Sequence, residues 1–272
     1  MSAPRLYAIS DLHLERAPNR VALEQLPAYP EDYLILAGDV CTGLELFVGA
    51  MELLSSRWRQ VIWVPGNHEL WTVSSEDRVL EGEGKYLELV RICRRFGVLT
   101  PEDEYAVFPS SDGGVRIAPL FLLYDYSFAP DGMDPEQARA WAESADTICT
   151  DEVMLSTDPY PTREAWCAVR CSQTAERLRA AARESSLILV NHFPLRRDLA
   201  RLPLVPRFTP WCGTRRTEDW HTRFCAKVVV TGHLHIRHTA WRDGVRFEEV
   251  SLGYQRQWDR RRGLESYLRF IL

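Results

Sequence analysis

Seven short apolar runs, each followed by a cluster of polar residues, constrain the fold of this chain more than any other feature. Runs of this length that are rich in β-branched residues and bounded by Gly, Asn or Pro are typical of buried strands. The runs predict strands over residues 6–10, 33–37, 61–64, 115–124, 187–190, 228–231 and 245–252.

Helix-like stretches lie between several of these runs, over residues 44–56, 85–96, 135–145 and 162–184. Alternation of strands and helices predicts an α/β architecture. No internal repeat, low-complexity tract or long polar linker interrupts the 272 residues, so we expect one domain over residues 1–272. Segment 124–163, with proline-bearing turns and acidic residues, is expected to form a lid-like insert rather than a separate core.

Composition and charge exclude several classes of protein. The net charge of -5 does not favour a dedicated nucleic-acid binder, whose basic surface usually shows in the total. No apolar run approaches the roughly 20 residues that span a bilayer, and no secretory signal region precedes the first strand. The seven cysteines are scattered without a Cys-x-x-Cys pair, which argues against disulfides and structural zinc. We therefore expect a cytoplasmic protein with no membrane and no stable nucleic-acid partner.

Polar residues typical of metal ligands follow five of the predicted strands. In α/β sheets, functional residues collect in the loops beyond the carboxyl ends of the strands, so these clusters are expected to meet at one site. They comprise Asp11 with His13, Asp39, Asn67 with His68, His192, and His233 with His235.

Each cluster taken singly also has a purely structural explanation. Asp11 and His13 would project to the same side of an extended backbone, but Asp11 could equally cap a turn. Asp39 could bridge two cations, or could cap the helix predicted to begin near residue 44. Asn67 follows Gly66, and both residues favour turns. The structural explanations would have to hold independently for five clusters in order, which favours a single metal site.

The five clusters resemble the signature of the calcineurin-like metallophosphoesterase family, which reads Asp-x-His, Gly-Asp, Gly-Asn-His-Asp/Glu, a His after a strand, and Gly-His-x-His. This resemblance implies a four-layer α/β/β/α sandwich of two mixed sheets flanked by helices. It also implies two metal ions and places His68 outside the metal shell. The implied ligands are Asp11, His13, Asp39 and His235 for one ion, and Asp39, Asn67, His192 and His233 for the other.

The expected chemistry is hydrolysis of a phosphoester by a binuclear metal centre. Two ions about 3.5–4 Å apart can clamp the attacking and leaving oxygens and lower the pKa of a water between them to about 7. The resulting hydroxide is the expected nucleophile, with Asp39, Asn67 and His68 as catalytic residues. His68 would protonate the leaving oxygen or stabilise its charge. The mixed ligand set suits Mn, Fe or Zn better than Mg or Ca.

Segments outside the signature, at 64–71, 121–128, 158–163, 211–214 and 243–254, resemble the actinobacterial phosphopantetheinyl hydrolases. That resemblance implies removal of 4'-phosphopantetheine from the serine of an acyl or peptidyl carrier protein. Residues 196–223 contain seven arginines and three acids, and we expect Arg196 and Arg197 to belong to a basic rim that steers an acidic carrier protein. The aromatic residues expected to line a slot for the pantetheine arm are Tyr124, Tyr126, Phe128, Trp211 and Trp220.

Two other functions remain open at the level of the sequence. The same metal chemistry would serve a phosphodiesterase or phosphatase acting on nucleotides, nucleic-acid ends or another small phosphoester, because fold does not settle substrate. A non-catalytic protein-binding scaffold would be expected to have lost ligands, and none of the motif positions is lost here.

Overall fold

The computed structural model describes residues 3–73, 80–109 and 114–272. Every predicted apolar run contains a strand, which confirms the strand predictions in outline. The strands of the described residues are β1 (Leu6–Ile9), β2 (Tyr29–Leu36), β3 (Trp58–Trp63), β4 (Val107–Phe108), β5 (Val115–Pro119), β6 (Leu187–Val190), β7 (Ala226–Thr231), β8 (His238–Arg242), β9 (Val245–Glu249) and β10 (Arg269–Phe270).

The strands form two mixed sheets. The first has the order β10-β1-β2-β3 and the second has the order β4-β5-β6-β7-β9-β8. β1, β2 and β3 are parallel to one another, as are β5, β6, β7 and β9, whereas β10, β4 and β8 pair antiparallel at the edges. A parallel bridge between Ser10 and Ser251 joins the two sheets just beyond the ends of β1 and β9.

The predicted helices are confirmed, with ends that shift by a few residues. The helices of the described residues are α1 (Ala17–Glu24), α2 (Leu44–Arg57), α3 (Asn67–Leu70), α4 (Gly82–Arg95), α5 (Pro135–Glu143), α6 (Asp151–Met154), α7 (Arg163–Ala181) and α8 (Trp220–Arg223). Short 3₁₀ turns cover Arg197–Leu199, Pro206–Trp211, Arg215–Thr217, Arg260–Arg262 and Leu264–Tyr267. No helix within the described ranges is long and apolar enough to cross a membrane.

Apolar side chains cover both faces of each sheet, which explains why the strands read as unbroken apolar runs. One layer lies between the sheets, where Ala8 and Ile35 of the first sheet share a cluster with Ile188 and Val230 of the second. On the outer faces, α2 packs against β3 and α8 against β7. The predicted four-layer α/β/β/α sandwich is therefore confirmed.

Two predicted strands end earlier than expected. β5 stops at Pro119 rather than at residue 124, because the chain beyond it leaves the ladder. The backbone N–H of Leu122 donates to the side chain of Asn191 instead of a strand partner. β9 stops at Glu249 rather than at residue 252, and Ser251 forms the inter-sheet bridge. Residues 120–124 are thus a buried connection that leads from the second sheet towards the site.

Candidate metal centre

All seven predicted metal ligands come together where β1, β2 and β3 of the first sheet face β6 and β7 of the second. Nε2 of His235 lies 3.0 Å from Oδ1 of Asp11 and 3.1 Å from Nε2 of His13. On the other side, Nε2 of His192 lies 3.5 Å from Oδ1 of Asp39. The loop after β7 also brings His233 here, with its ring centroid 5.2 Å from that of His192. Asn67 completes the set, with Oδ1 3.2 Å from Nε2 of His192.

The backbone at the ligands is turned rather than extended, which corrects the expected geometry of the Asp-x-His and His-x-His pairs. A left-handed φ costs a non-glycine residue about 1–2 kcal/mol, and such strain is often retained at functional sites. The turns point neighbouring side chains inward from the strand ends. The five ligands with a left-handed φ are Asp11 (55°), His13 (43°), Asp39 (54°), His233 (73°) and His235 (54°).

Two glycines are required because the ligand loops cross at close range. A Cβ on Gly66 would lie 2.1 Å from Oδ1 of Asp39, and a Cβ on Gly232 would lie 2.5 Å from Oδ2 of Asp11. Both contacts are far shorter than van der Waals distance, so a side chain at either position would displace a ligand. The glycines of the Gly-Asn-His-Glu and Gly-His-x-His motifs are therefore explained by packing against the two aspartates.

Asp11 is held by one oxygen so that the other is free to face the site. Its Oδ2 accepts hydrogen bonds from the hydroxyls of Ser10 (2.5 Å) and Ser251 (2.7 Å) and from the backbone N–H of His233 (3.1 Å). Oδ1 faces His235. These partners come from both sheets, so the bridge between the sheets also fixes the orientation of a ligand.

Glu69 fixes the loop that carries Asp39. This buried carboxylate accepts hydrogen bonds from the backbone N–H groups of Asp39 (2.9 Å), Val40 (2.8 Å) and Gly66 (3.0 Å). The alternative in which Asp39 caps α2 is excluded, since the residue before α2 is Gly43 and no side chain caps that helix. The acidic residue of the Gly-Asn-His-Glu motif thus ties the loops after β2 and β3 together.

Asp151 in α6 orients the side chain of Asn67, a role that no sequence pattern indicated. Asp151 is fully buried. Its Oδ1 accepts from Nδ2 of Asn67 (2.9 Å) and from the indole of Trp71 (2.7 Å), and its Oδ2 accepts from the hydroxyl of Tyr124 (2.9 Å). Because Nδ2 is engaged by Asp151, the amide oxygen of Asn67 must point towards His192.

His68 stands at the open side of the centre. Its side chain is 14% exposed, and its Nε2 lies 3.8 Å from Oδ2 of Asp39. The backbone N–H of His68 donates to Oδ1 of Asp39 (3.0 Å). The imidazole stacks on the indole of Trp71, with ring centroids 3.8 Å apart. Asp151 therefore supports both the Asn67 ligand and, through Trp71, the histidine beside it.

Burial and the neighbouring carboxylate of Asp11 shift the pKa values of four imidazoles at the site. Burial lowers the pKa of His13 and of His233 well below the usual value and lowers the pKa of His68 to about 4. For His235 burial acts in the same direction, but the carboxylate of Asp11 outweighs it and raises the pKa to about 9. A neutral imidazole offers a lone pair to a metal ion. A cation that binds His235 would displace the proton from that ring.

Burial and mutual repulsion make the two carboxylates unequal. Burial, followed by the charge of Asp11, raises the pKa of Asp39 well above its usual value. Burial also opposes ionisation of Asp11, yet the imidazole of His235 holds the pKa of Asp11 well below its usual value. Two buried carboxylates so close together are stabilised by nearby positive charge, which a pair of cations would provide.

The arrangement of electron pairs around His192 fits a cation. Nδ1 of His192 donates to the carbonyl of Ala37 (2.9 Å), so Nε2 presents a lone pair. That nitrogen faces the amide oxygen of Asn67 (3.2 Å) and a carboxyl oxygen of Asp39 (3.5 Å). Nε2 of His233 is buried and has no hydrogen-bond partner among the described residues. The donor set on this side fits a metal ion.

Three groups of side chains in the described part of the chain could each hold an ion with ligand atoms within 4.8 Å of one another. The first matches the predicted set of one ion without its bridging carboxylate, and the third contains the predicted bridge. The second shows that His68 lies within reach of Asp39 and His13. The groups are Asp11, His13 and His235; His13, Asp39 and His68; and Asp11, Asp39 and His192.

The aromatic residues expected to line an open slot are buried, and this corrects their predicted role. Tyr124, Tyr126 and Trp211 are at most 3% exposed, and Phe128 and Trp220 are also buried. The indole of Trp211 and the hydroxyl of Tyr126 both donate to Glu152 (2.6 and 2.8 Å). These side chains pack behind the site, and Tyr126 lies at the edge of a recess of about 580 Å³ with Glu152 and Arg163 rather than at the predicted metal ligands.

The predicted basic rim is largely neutralised by neighbouring acids. Nε of Arg196 bonds to Asp198 (2.8 Å), and Nη1 of Arg197 bonds to Asp131 (3.2 Å). Further along, Arg215 also pairs with Asp131. Residues 125–131 therefore supply much of the negative charge that balances residues 196–216, and the expected surplus of free positive charge is not present at Arg196 and Arg197.

Comparison with known proteins agrees with this geometry. A protein of Mycobacterium tuberculosis named acyl-carrier-protein phosphodiesterase PptH is 47% identical over 271 residues, which cover 99% of this chain and 83% of that protein. The crystal structure of phosphopantetheinyl hydrolase PptH from Mycobacterium tuberculosis has a TM-score of 0.94 and 46% identity, covering 99% of this chain and 96% of that one. The family described as calcineurin-like phosphoesterase matches residues 4–237. This chain therefore belongs to the calcineurin-like phosphoesterase family of metal-dependent hydrolases, as its motifs predicted.

Proposed function

We propose that this enzyme hydrolyses the phosphodiester that joins 4'-phosphopantetheine to the serine of an acyl or peptidyl carrier protein, using two divalent metal ions. The observation that carries the proposal is the convergence of the complete ligand set in a chain that matches the mycobacterial acyl-carrier-protein phosphodiesterase over 99% of its length. We propose Mn, Fe or Zn as the metals, because imidazole and carboxylate ligands are mixed at the centre. We also propose a cytoplasmic location, which the scattered cysteines without a Cys-x-x-Cys pair support.

The side chains have separate roles in this proposal. When bound, the ions supply Lewis acidity and lower the pKa of water. Asp39 turns Oδ1 towards His192 and Oδ2 towards His13, so its two oxygens serve both halves of the centre. The amide oxygen of Asn67 is directed inward by Asp151. His68 is placed at the open side, where the N–H of its neutral imidazole would donate a hydrogen bond to the serine oxygen and stabilise the charge that develops there. Water adds to phosphorus as the P–O bond to serine breaks, and the proton that the water loses ends on the serine oxygen, which leaves free phosphopantetheine and an unmodified serine.

Segment 124–163 is proposed to be a side wall of this single domain. Asp151 of this segment contacts Asn67 and Trp71 at the site. Arg163, at the end of the segment, donates to the carbonyl of Asp151 (2.9 Å). A wall built in this way would move with the metal ligands rather than independently of them.

Mass spectrometry of a holo carrier protein tests the proposal directly. Incubation with the enzyme and Mn²⁺ should lower the mass of the carrier protein by one phosphopantetheine, and a chelator should prevent the loss. Cleavage of bis-p-nitrophenyl phosphate under the same conditions measures the metal chemistry alone. Intact holo carrier protein together with active cleavage of the small diester would refute the carrier-protein substrate while leaving the metal-dependent hydrolase in place.

Replacing Asp151 by asparagine should weaken the metal centre. The change replaces the charged acceptor that Asn67 and Trp71 share with a weaker neutral one, so the amide of Asn67 is held less firmly in its orientation. Residues that orient metal ligands typically contribute about 10–100-fold to metal affinity or activity, and we expect kcat/KM for bis-p-nitrophenyl phosphate to fall by that factor. Titration with Mn²⁺ should show a matching loss of affinity.

Glu152→Gln is the matched control for this variant. Glu152 is the neighbouring carboxylate and bonds to Tyr126 and Trp211, but it contacts none of the metal ligands in the described residues. Its replacement should leave Mn²⁺ affinity within about twofold of wild type, because no ligand changes orientation. Equal losses in the two variants would mean that α6 acts only through general packing.

A further inference from the structure

Loop 253–263 forms one rim of the metal centre. The ring of Tyr254 stacks on the imidazole of His13, with centroids 4.5 Å apart. Nδ1 of His235 donates to the side-chain carbonyl of Gln257 (2.9 Å). The guanidinium of Arg16 lies 5.5 Å from the ring centroid of Tyr254. A substrate bound at the metals therefore meets this loop and the start of α1 directly.

A groove continues from this rim along the protein surface. An open recess of about 290 Å³ beside the metal centre is lined by Arg16, Tyr254, Arg256 and Gln257, together with Gln255. Gln255 also lines a larger open groove of about 1110 Å³ between α1 and the turn at residues 258–265. The two form one continuous surface, which we call the arginine groove after Arg16, Arg256, Arg260, Arg261 and Arg262. These five arginines outnumber the two acids of its lining, Asp259 and Glu265.

The positive charge of the arginine groove is accessible. Arg256 and Arg260 are exposed and make no ion pair with any described residue. The side chain of Arg261 is 90% exposed and pairs with its neighbour Asp259 (3.0 Å). Arg262 lies over the ring of Tyr267, which leaves its charge available. Four arginines of the other basic segment, by contrast, are paired with Asp125, Asp131 or Asp198; they are Arg196, Arg197, Arg215 and Arg216.

We propose that the arginine groove is the docking surface for the acidic face of the carrier protein. This inference rests on the proposed function, since it assigns where that substrate sits. Cleavage at the serine oxygen brings the serine to the metals, so the carrier surface around the serine must lie against the rim of the centre. Charge complementarity then selects this rim, because attraction between an acidic partner and exposed arginines speeds association and fixes orientation.

Charge reversal in the groove tests the proposal. The double variant Arg260→Glu/Arg261→Glu should raise KM for holo carrier protein by about tenfold at low salt, because exposed ion pairs each contribute a few-fold. Cleavage of bis-p-nitrophenyl phosphate should be unchanged, since neither residue touches a metal ligand. The difference in KM should shrink as salt is added, because the Debye length falls to about 8 Å at 0.15 M.

Arg201→Glu/Arg223→Glu is the matched control, with two exposed arginines of the other basic segment reversed instead. Its rise in KM for holo carrier protein should be less than half of the rise in Arg260→Glu/Arg261→Glu, which we call the groove variant. A larger effect in this variant than in the groove variant would overturn the proposal and restore the rim at residues 196–223 as the docking surface. An unchanged KM in the groove variant would also overturn it.

Binding of an apo carrier protein separates docking from turnover. The apo form lacks the scissile diester, so fluorescence polarisation of a labelled apo carrier protein measures docking alone. We expect the groove variant to bind about tenfold more weakly than wild type. Absence of binding to wild type, or equal binding by both, would contradict the groove. Failure of wild type to release phosphopantetheine despite normal binding would instead reject the proposed function.

Discussion

Asp39→Asn should abolish hydrolysis while leaving the protein folded. Asp39 faces both halves of the centre, with Oδ1 towards His192 and Oδ2 towards His13. Asparagine keeps the shape and one acceptor oxygen but removes the charge that would be shared by two cations. The loss of a principal electrostatic group typically costs about 10²–10³-fold in kcat, and we expect at least that loss on bis-p-nitrophenyl phosphate.

Thermal stability of Asp39→Asn shows whether Asp39 is needed for the fold. Burial and the charge of Asp11 raise the pKa of Asp39 well above its usual value, so the ionised carboxylate is unfavourable in the folded protein. A raised carboxyl pKa means that folding disfavours the charged form above the unfolded pKa. Thermal unfolding of Asp39→Asn in a chelator should therefore occur at the wild-type temperature or higher. A lower melting temperature together with lost activity would mean that Asp39 is a structural residue.

His68→Ala should lower kcat for the carrier-protein substrate by about 10²–10⁴-fold, the usual contribution of a side chain positioned at a proton transfer. The leaving serine oxygen is strongly basic and needs a proton, whereas p-nitrophenolate leaves readily without one. The same variant should therefore retain much more of its activity on bis-p-nitrophenyl phosphate. Its content of bound metal should match wild type, because the predicted ligand set does not include His68.

The loss of activity of His68→Ala on the carrier protein, compared with its loss on bis-p-nitrophenyl phosphate, distinguishes the roles that His68 could have. Equal losses on both substrates would contradict hydrogen-bond donation to the serine oxygen and would assign His68 to positioning of the phosphate. A loss of bound metal would place it among the ligands, as its 3.8 Å approach to Oδ2 of Asp39 allows. Trp71→Phe is a useful companion, because it keeps an aromatic ring against His68 but removes the indole that donates to Asp151.

The metal centre could be predicted from sequence because each ligand pair is local to a strand end. Asp11 with His13 and His233 with His235 are close in sequence, and parallel strands carry such loops to one edge. The turned backbone at these pairs could not be predicted, since it arises where loops of two sheets cross. Only the glycines at 66 and 232 hinted at it.

The contact of Asp151 with Asn67 could not be predicted from the sequence, for a different reason. It lies 84 residues from Asn67 and belongs to a four-residue helix with no periodic pattern. A single aspartate among the acids of segment 124–163 looks like a solvated residue until the fold buries it. The edge strands β4, β8 and β10 were not predicted because none of them contains a continuous apolar run of the length used to predict the other strands.

The residues predicted to contact the substrate lie in surroundings that differ from those expected, for reasons of pairing and burial. Arg196 and Arg197 have nearby acids in space that the sequence does not bring together, so counting charges overstated the free positive charge of that segment. Tyr124 and Trp211 carry polar atoms that find buried carboxylates, which allowed them to pack inside rather than face the surface. Both errors came from tertiary neighbours rather than from the residues themselves.

The position of the centre between two sheets has a consequence for how the protein acquires its metals. Asp11, His13, Asp39 and Asn67 follow strands of one sheet, whereas the three remaining ligands follow strands of the other. An ion held by both sets would cross-link the two halves of the sandwich. Any ligand that binds only the folded state stabilises it, by about 2.7 kcal/mol at a hundredfold excess over Kd. The rise in melting temperature with each added metal would thus rank candidate metals without an activity assay. Binding of the metals in the cell would act as a late step of folding.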